Sequence, residues 1–181
     1  MQQLNTFKLP KNFRGRNAFI VQLWWLVQSI LFSNSPQFMY GFRRFLLRLF
    51  GAKIGKNVII RPTVRITYPW KISIGDFSMI GDDVVLYSLG RIEIGNNVVI
   101  SQKSYICAAS HDYLKSDFPI FAKKITIEDQ CWLATDVFVA PGITIGKGTV
   151  VGSRSSVYKN LPSNKVCIGN PAKIIRERIS E

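Results

Sequence analysis

From Ile54 to Val157 an aliphatic side chain returns every six positions, in the register Ile54, Ile60, Ile66, then Ile74, Ile80, Leu86, then Ile94, Ile100, Ile106. After an interruption it resumes at Ile127, Leu133, Val139, Ile145, Val151 and Val157. A period of six matches neither the 3.6 of a helix nor the 2 of a half-buried strand. It matches a chain that turns a corner every six residues and points one aliphatic side chain inward on each side. Three corners close a triangular coil, and stacked coils pair their backbones along the axis, so each covers its neighbour's open edge. Polar positions punctuate the pattern. Glycine follows the aliphatic at Gly55, Gly75, Gly81, Gly95, Gly146 and Gly152, with Asn57, Asp82, Asn96, Asn97 and Asp129 at or beside the same turns. These residue types tolerate left-handed backbone angles, as corners demand. The pattern predicts an all-β solenoid, a parallel β-helix of hexapeptide repeats over residues 54–165.

The register breaks in three places. Ile66 to Ile74 and Leu86 to Ile94 each span eight residues, which leaves room for Tyr68-Pro69-Trp70 and Ser88-Leu89-Gly90. Residues 107–124 (CAASHDYLKSDFPIFAKK) abandon it altogether and must leave the wall as an extruded loop, a usual place for function on a rigid scaffold. After Val157 the pattern decays into a C-terminal unit, residues 166–181. There Gly169-Asn170-Pro171 predicts a turn and Ile174 to Ile179 a short basic helix. Residues 1–53 form a basic, apolar N-terminal unit. Its first 17 residues are a polar arm, and Ala18 to Phe32 is almost wholly apolar. That run is shorter than the roughly 20 residues of a membrane span, so it predicts a helix, ended by Ser33-Asn34-Ser35-Pro36. Phe38 to Phe50 predicts a second helix, with apolar residues at helical spacing and Arg43, Arg44 and Arg48 between them.

Charge changes the picture through its location. The chain carries 24 Lys and Arg against 11 Asp and Glu, a net of +13, yet the first acid is Asp76 and twelve of the basic residues precede it. The solenoid is thus nearly neutral and the N-terminal part strongly cationic, which points to an anionic surface as partner. Two compatible roles follow for the helices of residues 1–50. They cap the open end of the solenoid, or their basic faces lie on an anionic bilayer with Trp24 and Trp25 near the interface. Nucleic acid is excluded, because the basic residues lie among apolar helices without a recognition motif. Cys107, Cys131 and Cys167 are too few and too scattered for a disulfide framework or a zinc site.

His111, the single histidine, sits in the extruded loop and is followed by Asp112. A zinc site of three histidines is ruled out. Imidazole takes a proton from an alcohol near neutral pH, which suits a general base for O-acyl transfer. Asp112 is placed to orient the ring or to bind the acceptor. Nothing in the chain supplies a nucleophilic serine for this histidine, so direct attack by the acceptor is more economical than an acyl-enzyme.

The runs IGNNVVISQKSYICAASHDY (residues 94–113), ITIEDQCWLATDVFVAPGITIGKGTVVGSRSSVYKNLP (125–162) and GNPAKIIRE (169–177) resemble the hexapeptide-repeat acyltransferases that use acetyl-CoA. WWLVQ (24–28) and RRFLLRLFGAKIG (43–55) resemble in particular the branch of colanic acid biosynthesis acetyltransferases. The resemblance implies a left-handed β-helix and a homotrimer with active sites between subunits. It implies that His111 is the general base on the acceptor hydroxyl and that Trp132 flanks the pantetheine and acetyl group. Thr135 and Ser153 match positions along the pantetheine arm. Tyr158, Lys159, Lys173 and Arg176 match positions near the adenosine and phosphates. Asp83 stands where many relatives carry an acceptor-pocket asparagine, and Ser153-Arg154-Ser155 replaces a more usual alanine-glycine-serine. Asp83, Tyr87 and Asp112 are the candidates for acceptor contact.

The sequence therefore predicts a trimeric O-acetyltransferase that moves acetyl from acetyl-CoA to a sugar hydroxyl, without a metal. The acceptor is expected to be a unit of an exopolysaccharide or surface glycan, carried on a lipid. The location is cytoplasmic, with peripheral contact to the inner face of the membrane. A small soluble acceptor, or a non-catalytic trimeric scaffold, are the alternatives.

Overall fold

The computed structural model describes residues 1–179. The first coil comprises β1 (Lys53–Ile54), β2 (Ile59–Ile60) and β3 (Arg65–Ile66), and the second β4 (Ile72–Ile74), β5 (Met79–Ile80) and β6 (Val85–Tyr87). The third holds β7 (Ile92–Ile94), β8 (Val99–Ile100) and β9 (Tyr105–Cys107), after which β10 (Ala109–His111) and β11 (Ile120–Ala122) leave the wall. The fourth holds β12 (Ile125–Ile127), β13 (Trp132–Leu133) and β14 (Phe138–Val139), and the fifth β15 (Thr144–Ile145), β16 (Val150–Val151) and β17 (Ser156–Val157). A partial sixth turn ends in β18 (Lys165–Gly169) and β19 (Ala172–Glu177). Like strands stack into three parallel sheets, A (β1-β4-β7-β12-β15), B (β2-β5-β8-β13-β16-β18) and C (β3-β6-β9-β14-β17), with β19 added antiparallel at the end of sheet B. This is a left-handed parallel β-helix.

The six-residue register is the core. Ile54, Ile74, Ile94, Ile127 and Ile145 pair in one column down sheet A. Ile60, Ile80, Ile100, Leu133 and Val151 form the column of sheet B. Ile66, Leu86, Ile106, Val139 and Val157 form that of sheet C. All fifteen are buried in one continuous cluster. Each such side chain taken from water contributes about 1.5–3 kcal/mol, so the stack of columns supplies the main driving force.

The repeated glycines serve a purpose other than left-handed geometry. Positive φ falls on the residues further round the corner, such as Asn57, Phe77, Asn97 and Gln130. The repeat glycines make room instead. A Cβ on Gly75 would lie 2.6 Å from Asn96 Oδ1 and from the carbonyl carbon of Gly95. That crowding arises because Asp76, Asn96 and Asp129 form a ladder along the sheet A–B corner. Their side chains accept from the backbone N–H of Lys56, Asp76 and Asn96, each at 2.7 Å.

Helix α1 (Ala18–Val27) is N-capped by Asn17, whose side chain accepts from Ile20 N at 3.0 Å, and it continues as a wider turn over Gln28–Phe32. Helix α2 (Tyr40–Leu49) follows. Together they close the open edges of the first coil. Trp24 Nε1 donates to Ile66 O (2.8 Å) and Gln28 Oε1 accepts from Ile66 N (2.7 Å), so α1 covers the edge of sheet C. Arg43 Nε donates to Ile60 O, Arg44 to Val58 O and Arg48 to Ile54 O, so α2 covers sheets B and A. These three arginines, expected on a basic outer face, turn inward because the first coil has no preceding coil to satisfy its carbonyls.

The C-terminal helix expected over Ile174 to Ile179 is absent, and the segment forms β19. The cause is a long-range one. β18 ends sheet B with an unpaired edge, and residues 172–177 fold back on it through the Gly169–Pro171 turn, with Lys165 paired to Glu177. Because β18 (Lys165–Gly169) belongs to sheet B, the wall also runs past residue 165.

Candidate active site

All three register breaks occur at one edge of the prism, where sheet C passes to sheet A. The turns after β3 and β6 stack there, and the excursion after β9 is an antiparallel hairpin that pairs Ala109 with Ala122 and His111 with Ile120. Beneath it Val21, Tyr68, Leu89 and Ala109 make a second small core, with Phe13, Trp70 and Ile120 packed against it. A hairpin so anchored holds His111 in a defined position.

His111 is half-buried and held on two sides. Its Nδ1 lies 2.8 Å from Phe118 O, across the hairpin. A carbonyl oxygen only accepts, so the proton of the neutral ring sits on Nδ1 and Nε2 carries the free lone pair. The ring stacks on Phe118 with centroids 4.2 Å apart and planes 8° from parallel, and Phe7 lies 5.9 Å away. The arm is tied to the same hairpin, since Gln3 N donates to Ser116 O at 2.7 Å. Phe118 and Phe7 carry no signal in the sequence. Their role comes from pairing across the hairpin and over the arm.

Asp112 does not orient the ring. Its Oδ1 accepts from Leu114 N (3.1 Å) and its other oxygen is 3.8 Å from Lys115 Nζ, so the carboxylate shapes the hairpin tip. Adjacent strand residues point to opposite faces, and the carbonyl of Phe118 takes the orienting place. Cys107 lies close by at the end of β9. Burial pushes its thiol up from the ordinary value, against a smaller opposing effect of the Ala109 backbone.

The remaining candidates fall into two groups. Trp132 stands on the outer face of sheet B, 47% exposed, with Nε1 donating to Ser101 Oγ at 3.1 Å. Thr135 and Ser153 occupy successive corners between sheets B and C, and Thr135 Oγ1 donates to Gln102 O. Lys173 and Arg176 are exposed on β19, further along sheet B. These positions run along the axis from the fourth coil to the cationic C-terminal end. Asp83, exposed and at φ 57°, belongs to the same B–C edge two coils earlier. Tyr87, His111, Asp112, Tyr158 and Lys159 belong instead to the C–A edge. In a triangular prism the face of sheet B lies opposite that edge. One chain therefore keeps Trp132 and His111 on different sides of the prism.

An aromatic column runs along the outside of sheet C, one ring from each of coils two to five. Tyr87, Tyr105, Phe138 and Tyr158 follow one another at centroid separations of 6.0, 6.3 and 5.7 Å. Tyr105 and Phe138, with Lys103 and Asp136, line an open groove of about 410 Å³.

No protein-family model matches the chain. Among individual proteins, it is 64% identical over 179 residues to an Escherichia coli K12 protein named "Putative colanic acid biosynthesis acetyltransferase WcaF", covering 99% of this chain and 98% of that one. It is 30% identical over 138 residues to the galactoside O-acetyltransferase of the same organism, covering 75% and 68%. Among solved structures, a hexapeptide-repeat acetyltransferase of Vibrio cholerae complexed with acetyl coenzyme A superposes with a TM-score of 0.81 at 27% identity, over 92% of each chain. A near full-length match to the first protein, on a solenoid wall shared with the third, decides the assignment: the chain belongs to the hexapeptide-repeat acetyltransferases, in the branch of the colanic acid biosynthesis acetyltransferases.

Proposed function

We propose that the protein is an O-acetyltransferase that moves acetyl from acetyl-CoA to a hydroxyl of a saccharide in exopolysaccharide or surface glycan synthesis. The observation that carries this reading is the state of His111, with Nδ1 fixed on a carbonyl and Nε2 left as an oriented base. In the reaction Nε2 accepts the proton of the acceptor hydroxyl as that oxygen attacks the thioester carbonyl. The tetrahedral intermediate collapses by breaking the C–S bond. The departing CoA sulfur recovers the proton from Nε2, and the acetyl ester remains on the sugar. Trp132 offers its exposed face to the pantetheine and acetyl end, Thr135 and Ser153 line the arm, and Lys173 and Arg176 meet the phosphates. Use of acetyl-CoA places the protein in the cytoplasm, and the saccharide is presented on a lipid carrier at the inner face of the membrane.

The active unit in this reading is a homotrimer. Sheet B of one subunit meets the C–A edge of the next, and three such head-to-tail contacts close a ring. The partner's edge then brings Tyr158 and Lys159 to the adenosine and sets His111 opposite Trp132. Subunit mixing tests it. Co-expressed His111→Ala and Trp132→Arg chains, each inactive alone, should regain about a quarter of wild-type turnover, because random assembly restores that share of interfaces. Activity no greater than the sum of the single variants would place the whole site within one chain.

Trp132→Ala is expected to raise the KM for acetyl-CoA about tenfold, the effect of losing roughly 1.4 kcal/mol of contact. The melting temperature should stay within a degree or two, since the ring stands outside the core. An unchanged KM in a CoA-release assay would remove Trp132 from the donor site.

A further inference from the structure

We infer that the outward face of the N-terminal cap is a docking surface for an anionic lipid bilayer, and that it holds the enzyme at the membrane surface. The cap has two sides. The inner side, carrying Val21, Trp24, Arg43 and Arg44, is taken up by the solenoid and the turns at its C–A edge. The outer side carries Phe19, Leu23, Leu26 and Ile30, spaced at i, i+4, i+7 and i+11, which places them on one stripe opposite Val21 and Trp24. On α2, Phe45 and Leu49 are exposed as well. No charged residue lies between Arg16 and Arg43 to interrupt the α1 stripe. An exposed apolar stripe of this kind marks an interaction site.

The chemistry of the rim selects the occupant. Arg16 at the end of the arm and Lys53, Lys56 and Arg65 of the first coil are exposed beside the cap, and residues 1–75 contain no acid. A second copy docking face to face would bring two such rims together, and like charges at an interface oppose association. A bilayer rich in anionic headgroups attracts the rim and accepts the apolar stripe below the headgroup level. α1 is ten residues long, and no helix among the described residues is long and apolar enough to cross a membrane, so the cap lies in the interface plane.

The inference goes beyond the acetyl-transfer reading and does not depend on it. Its test uses the full chain and vesicles of phosphatidylcholine, alone or with 30% phosphatidylglycerol, in a flotation assay with CoA release measured in parallel. The wild type should bind the anionic vesicles at least tenfold more tightly than the neutral ones, and high salt should weaken that binding. Leu23→Glu with Leu26→Glu should lose binding more than tenfold while keeping acetyl-CoA turnover and its melting temperature. Lys53→Glu with Lys56→Glu should lose binding to the anionic vesicles alone. Wild-type protein that stays with the buffer, or a Leu23→Glu/Leu26→Glu variant that floats as well as the wild type, would overturn the inference. So would a change of oligomeric mass in that variant, which would make the face a contact between copies. Failure of the acetyl-transfer reading would show separately, as wild-type protein that binds vesicles but releases no CoA.

Discussion

His111→Ala is expected to lower kcat for acetyl transfer by a factor of about 10²–10⁴ and to leave the KM for acetyl-CoA near the wild-type value. The split follows from where the ring is. In the proposed mechanism Nε2 acts on the acceptor hydroxyl while the donor sits on sheet B, so the loss falls on the chemical step. Stability should change little, because the ring is half-buried on a hairpin outside the columns. Phe118→Ala separates base from scaffold. It keeps the carbonyl that bonds Nδ1 and removes the stacked ring, so it should lower kcat by a smaller factor through a looser imidazole. Full turnover in His111→Ala, with acetyl-CoA and a panel of free and lipid-linked saccharides, would remove the histidine from catalysis. Turnover of free sugars by the wild type would keep the base and weaken the case for a lipid-borne acceptor.

The two parts of that argument were unequally legible in the sequence. The position of His111 could be read, because a loop that interrupts a strict register advertises itself. The group that orients it could not, since Phe118 is seven residues away and meets the ring only when the hairpin closes. The neighbouring Asp112 looked the better candidate, and strand geometry turned it away. The solenoid wall was legible up to its last strand for a simple reason. One aliphatic per side recurs at a fixed interval, so local pattern and tertiary position are the same information. The C-terminal segment lacked that property. Ile174-Ile175-Arg176-Glu177 suits a helix locally, and only the open edge of β18 decides for a strand. The residues alone give the coil number of each candidate but not which faces a single chain can bring together, and the separation of Trp132 from His111 follows only once the three sheets close the prism.

The inward turn of the arginines in α2 carries the largest stability prediction. Arg43 is wholly buried, and its guanidinium is hydrogen-bonded to Ile60 O (2.7 Å), Ser35 Oγ (2.7 Å), Pro36 O (2.9 Å) and Gln37 O (2.5 Å), with Tyr40 beneath it at 5.1 Å. One side chain thus ties the first coil, the turn after α1 and the start of α2 together. Arg43→Ala would strand carbonyls that no water replaces in a packed site and would leave a cavity under α2. It should destabilise the protein by about 3–5 kcal/mol. For a chain of this length that corresponds to a fall in Tm of roughly 6–20 °C. Arg43→Lys should recover only a small part, because a single ammonium cannot span Ile60 and the 35–37 turn as the planar fork does. Arg44→Ala removes one partly exposed bond to Val58 O and should cost only about 1 kcal/mol. Thermal and denaturant unfolding of the three variants would decide the matter. If Arg43→Ala melted with the wild type, the cap would be held by its apolar contacts alone. Arg43 would then be a buried charge whose removal the core absorbs.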